Sequence, residues 1–143
     1  MPYEYLEDVA IADIAFKAWA PDLEGTFAAA ADATMNVMIE DLDSIRPALE
    51  RPFRLQNESL DMLLFDLLQE LLFYKDAERL LLRVRAVRIE VKEGHHVLEA
   101  TAAGETLDPD RHLQRVDVKA VTLHRFALER TARGWEATVI LDV

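Results

Sequence analysis

Asp142 stands one residue from the end of the sequence, at the close of an alternating run. Trp135, Ala137, Val139, Leu141 and Val143 take one set of positions; Glu136, Thr138, Ile140 and Asp142 take the other. Such alternation belongs to a strand with one face in the core, so Asp142 is expected to point away from that core. With an ionised α-carboxylate on Val143, two acidic groups stand side by side at one strand end. Asp13 opens a second run, in which Ile14, Phe16 and Ala18 share a face. If that strand lies beside the last one, three anionic oxygen donors converge. Like charges held so close raise a pKa or recruit a cation. A site built only of hard oxygen donors suits Ca²⁺ or Mg²⁺ better than zinc. Spacing alone favours aspartates solvated at strand ends, the ordinary state in a chain with 27 acids. Lys119 is the other candidate. In Asp117-Val118-Lys119-Ala120-Val121-Thr122, alternation puts Val118, Ala120 and Thr122 on one face and Lys119 with Val121 on the other. It is either an ordinary surface lysine at a strand start or an ammonium held near an anionic group.

Other chemistries are excluded by what the chain lacks. Four scattered glycines form neither GxxxxGK[ST] nor GxGxxG, and no HExxH or EF-hand loop occurs. The adjacent His95 and His96 sit at a turn and read as solvated. Cys 0 removes disulfides, thiolate zinc sites and cysteine nucleophiles. A formal charge of −11 argues against a stand-alone nucleic-acid binder, but leaves room for a partner with a basic surface, reached by electrostatic steering. No basic, apolar leader opens the chain. Apolar stretches such as Leu63–Leu68 are far shorter than the about 20 residues a membrane helix needs. A cytoplasmic protein is expected, built as a single domain over residues 1–143.

The elements that must position these residues follow from period. Ile14–Trp19 reads as a strand. Asp22 caps a helix in which Leu23, Phe27, Ala30, Ala31, Thr34, Met35 and Met38 recur at three- and four-residue steps, with Gly25 a local cost. Residues 45–55, broken by Pro47 and Pro52, read as a loop into a short edge strand. Ser59 opens a second helix carrying Leu60, Leu63, Leu64, Leu67, Leu68, Leu71 and Leu72. After Asp76 the period becomes two. Leu82 and Val84 alternate with arginines, then Val87, Ile89 and Val91 form the apolar set, so a bulge is expected near Ala86-Val87. Residues 92–95 are a turn, 96–103 a strand, and 104–116 a long polar loop. A strand over 118–130 changes phase near His124-Arg125, and a turn at 131–134 leads into the terminal strand. The sum is an α+β fold: a mostly antiparallel sheet with two principal helices packed on it.

Taken in order, several of these pieces resemble the archease family over nearly the whole chain. They are Tyr5-Leu6-Glu7 with Ala12-Asp13-Ile14, Asp22-Leu23-Glu24 with Phe27, and Leu68-Gln69-Glu70-Leu71-Leu72. Then come Gly104-Glu105, Asp108-Pro109 with His112, Val118-Lys119-Ala120-Val121-Thr122 with His124, and Trp135 to Asp142-Val143. The resemblance implies a non-catalytic accessory of the RNA ligase that joins 3′-phosphate or 2′,3′-cyclic-phosphate ends to 5′-hydroxyl ends in tRNA splicing or RNA repair. That ligase works through a guanylylated histidine. The accessory promotes its guanylylation and repeated turnover. By the same resemblance, Asp13, Asp142 and Val143 would hold a divalent cation, calcium first and magnesium or manganese as alternatives. Lys119 would be the lysine that activates the partner. The sequence departs from the family at the approach to Asp13. Many members carry Glu-His-Thr-Ala-Asp there, whereas here Asp8-Val9-Ala10-Ile11-Ala12-Asp13 is longer and has no histidine, so no role for that histidine carries over. Two rival readings are a metal-dependent phosphoester hydrolase using Asp13 and Asp142, and a metal-free adaptor or chaperone.

Overall fold

A computed structural model describes residues 2–6 and 13–143. Among these residues seven strands and two α-helices, with a 3-10 turn at Leu42–Ser44, follow one another as β1 (Tyr3–Leu6), β2 (Asp13–Ala20), α1 (Leu23–Met38), β3 (Leu49–Asn57), α2 (Leu60–Glu78), β4 (Leu80–Lys92), β5 (His95–Thr106), β6 (Ala120–Thr131) and β7 (Gly134–Asp142). All strand pairs are antiparallel. They form two sheets, ordered β1-β2-β7-β6 and β3-β5-β4. The expected α+β class holds, but the strands divide into two layers rather than one sheet. The helices lie between them. α1 packs on β2 and β7 of one sheet and on β4 of the other, while α2 packs on β3 and β4 and on β6. This explains the composition of α1, where Phe27, Ala30, Thr34 and Met35 are buried together with Ala29, Ala33 and Val37 from other sides of the helix. A helix covered all round needs small residues where two sheets close on it. The wide leucine stripe of α2, with Leu63, Leu64, Leu67 and Leu68 fully buried, has the same cause.

Local signals explain most boundaries. The Asp22 side chain accepts from Gly25 N–H at 2.8 Å, satisfying one orphan donor of α1. A Cβ on Gly25 would lie 2.5 Å from the same Asp22 oxygen, so the glycine read as a cost keeps the cap in place. Ser59 occupies the N-cap of α2 without a side-chain cap bond; its hydroxyl is turned to the Asp61 carboxylate instead. The bulge in β4 falls between Val84 and Ala86, as the phase slip predicts. The break in β6 falls between Thr122 and Ala127, with Arg125 at φ 55°.

Three expectations are corrected. The segment 49–57 is a nine-residue strand, not a loop with a short strand. β3 is paired on one side only, so Pro52 can turn its missing donor to the open edge. β5 runs on to Thr106, so the polar loop begins later than expected. β6 begins at Ala120, and Val118 and Val121 are both buried, so the alternation that grouped Val118 with Ala120 and Thr122 breaks at its first step.

Candidate functional site

β2 and β7 are the central pair of the four-stranded sheet, and their register ends with Asp13 opposite Asp142. Directly opposed residues in an antiparallel pair project to the same face, with Cβ atoms about 4.5–5.5 Å apart. The core face of this pair carries Ile14 opposite Leu141, Phe16 opposite Val139 and Ala18 opposite Ala137; of these Phe16, Ala18, Ala137, Val139 and Leu141 are fully buried. The two aspartates therefore stand together on the other face, both partly exposed. On the far side of β7, Ala120 pairs with Asp142. The main-chain N–H of Lys119 donates to the Asp142 carbonyl at 2.8 Å. The fold thus brings Asp13, Lys119, Asp142 and Val143 to one sheet end. Lys119 is exposed and makes no ion pair among the described residues. The run 8–12, where the sequence departs from the family pattern, lies outside the described residues, as do Glu7 and Ala12 of the N-terminal motif.

The connection between β5 and β6 builds the flank of this end. Arg115 N–H donates to Met38 C=O at 2.8 Å and Val116 N–H to Val37 C=O at 3.3 Å, while Glu40 N–H donates to Leu113 C=O at 2.9 Å. Arg115 and Val116 thereby supply donors to two free carbonyls at the α1 C-terminus, and Leu113 an acceptor to the N–H of Glu40 just beyond it. These bonds also put Arg115 on the wall of a cavity of about 260 Å³, which Tyr5, Asp13, Ile14, Val37 and Val116 line with it. Sequence reasoning missed Arg115. No periodicity marks it, because its place comes from bonds to a helix end far away in the chain. Tyr5 donates its hydroxyl to Ala33 C=O at 2.8 Å. Burial, with Tyr3 adding, raises its pKa above the ordinary phenol value, so it stays a protonated donor.

The same connection is clasped at its start. Glu105 accepts from Arg46 N–H at 2.7 Å, from His112 Nε2 at 2.9 Å and from the Arg111 guanidinium. His112 is 1% exposed, and its Nδ1 accepts from Asp108 N–H at 2.8 Å. The Nδ1 acceptor role leaves the proton on Nε2, aimed at Glu105. Arg111 above all, assisted by the Arg46 N–H and by His112, outweighs burial and lowers the Glu105 pKa to about 2. Glu105, Asp108 and His112 are pieces of the family pattern with no chemistry apparent in the sequence. Their geometry ties down the loop that carries Arg115 and Lys119.

Hard oxygen donors on two opposed strand positions fit calcium or magnesium and do not fit a soft or tetrahedral metal. Among the described residues no three His, Asp or Glu side chains gather as a metal cluster. A cation at this end would take its further oxygens from Val143, water or a bound partner. Among the described residues no helix is long and apolar enough to cross a membrane.

A two-sheet, antiparallel α+β domain with its helices between the sheets, and with its first long strand and its last meeting at an acidic pair, defines the class of protein. The model of the Archease protein family (MTH1598/TM1083) matches residues 3–143. The protein archease of Methanosarcina mazei is 37% identical over 142 residues, covering 99% of this chain and 95% of its own. That of Pyrococcus furiosus is 35% identical over 133 residues, covering 92% and 93%. The solution structure of Methanobacterium thermoautotrophicum protein 1598 superposes with a TM-score of 0.86 at 36% identity over 99% of both chains. The crystal structure of an archease from Thermotoga maritima, described as a possible chaperone, shares the fold with a TM-score of 0.59 at 17% identity over 94% of this chain and 93% of its own. The chain belongs to the archease family.

Proposed function

We propose that this protein is a non-catalytic accessory of an RNA ligase of the guanylylated-histidine type, promoting its guanylylation and multiple turnover in the joining of 3′-phosphate or 2′,3′-cyclic-phosphate ends to 5′-hydroxyl ends. The observation that carries this reading is the register of β2 and β7, which sets Asp13 opposite Asp142 beside the Lys119 peptide in a chain of this family. In the proposed mechanism Asp13, Asp142 and Val143 supply hard oxygens to a divalent cation, calcium first. That ion would supply positive charge where phosphoryl charge develops in the partner. Lys119 contributes a mobile point charge able to meet a phosphate or carboxylate on the docked ligase. The chain's net charge of −11 favours approach to the basic surface an RNA-joining enzyme must present.

The test is multiple-turnover ligation with the partner ligase, comparing the wild-type protein with Asp13→Ala, Asp142→Ala and Lys119→Ala, alongside a calcium titration of each. Loss of an aspartate should cost at least the roughly 10–100-fold typical of disturbing a metal's supporting shell. Full stimulation by all three folded variants refutes the site. Retained stimulation in chelator favours the metal-free adaptor, the reading to which the "possible chaperone" description of the Thermotoga maritima relative also points.

A further inference from the structure

Lys75, in the last turn of α2, is a lysine whose side chain is only 10% exposed. Its ammonium has three acceptors: Asp117 Oδ1 at 2.5 Å, Asp76 Oδ1 at 2.7 Å and the main-chain carbonyl of Val118 at 3.0 Å. An ammonium carries three protons, so this set uses all of them. The Val118 carbonyl belongs to the same peptide unit as the Lys119 N–H, and that N–H donates to the Asp142 carbonyl at 2.8 Å. The peptide leading into Lys119 is therefore held at both polar ends, by α2 on one side and by β7 on the other. Val118 itself is completely buried and anchors the unit to the core. This pinning occurs where the strand alternation has failed, one residue before β6 begins. No regular ladder sets the course of the main chain there.

We propose that Lys75 is a positioning residue for the candidate site: by holding the carbonyl of the Val118–Lys119 peptide it fixes the main chain from which Lys119 projects and its bond to Asp142. The proposal rests on the accessory-protein reading above. Charge and geometry act together. Burial alone would lower the pKa of the ammonium, but the hydrogen bonds to Asp117 and Asp76 outweigh it and hold the pKa above the ordinary lysine value, so the clamp is charged throughout the neutral range. A neutral side chain of similar length keeps the packing and loses the clamp.

The experiment is a double-mutant cycle on stimulation of the partner ligase, using RNA with 2′,3′-cyclic-phosphate and 5′-hydroxyl ends. It compares the wild-type protein with Lys75→Met, Lys119→Ala and the pair combined. A positioning role predicts a loss of about tenfold for Lys75→Met, within the coupling range of residues sharing one hydrogen-bond network. That loss disappears when Lys119 is already alanine. Wild-type stimulation by Lys75→Met, or the same fold-loss in both backgrounds, overturns the proposal while leaving the site reading intact. If Lys119→Ala is itself silent, Lys75 has nothing to position and the proposal falls, while the carboxylate site is judged separately by Asp13→Ala and Asp142→Ala. Should Lys75→Met fail to fold, Asp117→Ala serves, since that side chain is 70% exposed and its loss removes one partner of Lys75 without opening the core. It should cost about threefold, again only when Lys119 is present, and should speed hydrogen exchange at the Lys119 amide. Unchanged stimulation together with unchanged exchange in Asp117→Ala overturns the proposal.

Discussion

Replacing Glu105 with glutamine removes the charge at the centre of the clasp while keeping its shape. In the native protein the carboxylate accepts from Arg46 N–H, His112 Nε2 and Arg111, and it is 9% exposed. A glutamine amide offers one acceptor oxygen and presents an NH₂ group where a second donor already points. Arg46 N–H and His112 Nε2 both point at Oε2, so the amide oxygen placed there keeps both bonds but weakens them to neutral ones. The NH₂ replaces Oε1 against the Arg111 guanidinium, and the charge-assisted hydrogen bond of the carboxylate, worth about 1.5–3 kcal/mol, is lost. The expected loss is about 3 kcal/mol. An unfolding entropy of about 2.1 cal/mol/K per residue amounts to about 0.3 kcal/mol/K for a chain of this length, so Tm should fall by about 10 °C. The pH dependence identifies the cause. The Glu105 pKa is depressed from 4.5 to about 2 in the folded state. Its contribution is therefore complete above the unfolded value and is lost as pH falls from about 4.5 towards 2. Urea unfolding of the wild-type and Glu105→Gln proteins should show the full gap at pH 7, the same gap at pH 5.5, and a narrowing gap below pH 4. A gap under about 0.5 kcal/mol at pH 7, within the scatter of ordinary surface changes, would refute this account, as would one that does not shrink in acid.

Other consequences are open to direct measurement. A Cβ at position 104 would overlap the Leu81 carbonyl oxygen in the neighbouring strand. Gly104→Ala should therefore cost about 3 kcal/mol or more by urea unfolding, at the upper end of overpacking. Asp22→Ala removes the cap on Gly25 N–H and should cost about 1 kcal/mol in the same assay. Asp13→Asn relieves two like charges placed directly opposite. It should raise stability by a few tenths of a kcal/mol in chelator, and the order of the Tm values should reverse in calcium if the pair holds the ion; no reversal speaks against the metal.

Much of the fold and part of the site could be read along the chain. The cap at Asp22, the bulge beside Ala86 and the break near Arg125 are local events, each governed by residues within a few positions of one another. Asp142 announced its face through the alternation of Val139, Leu141 and their neighbours. The segments misread share one feature. Pro52 marked a loop because nothing nearby shows that the edge strand expected after it already runs from Leu49 through it, and 104–106 passed as loop because Glu105 is polar. Both are paired by residues of β5 or clasped by Arg46 and Arg111, which no local pattern reveals.

Residue types and their period carried the strands, the helices and the identity of the acidic residues, because side-chain direction repeats every two or 3.6 positions and capping reaches only three or four residues. Partition into two sheets, the meeting of Asp13 with Asp142, the place of Arg115 and the clamp of Lys75 on the Val118 carbonyl came from the folded chain. These contacts join segments whose separation along the chain leaves no trace in composition or spacing. They form because burying α1 and α2 from both sides leaves the polar groups at the sheet ends to find partners in whichever strand or loop the packing delivers.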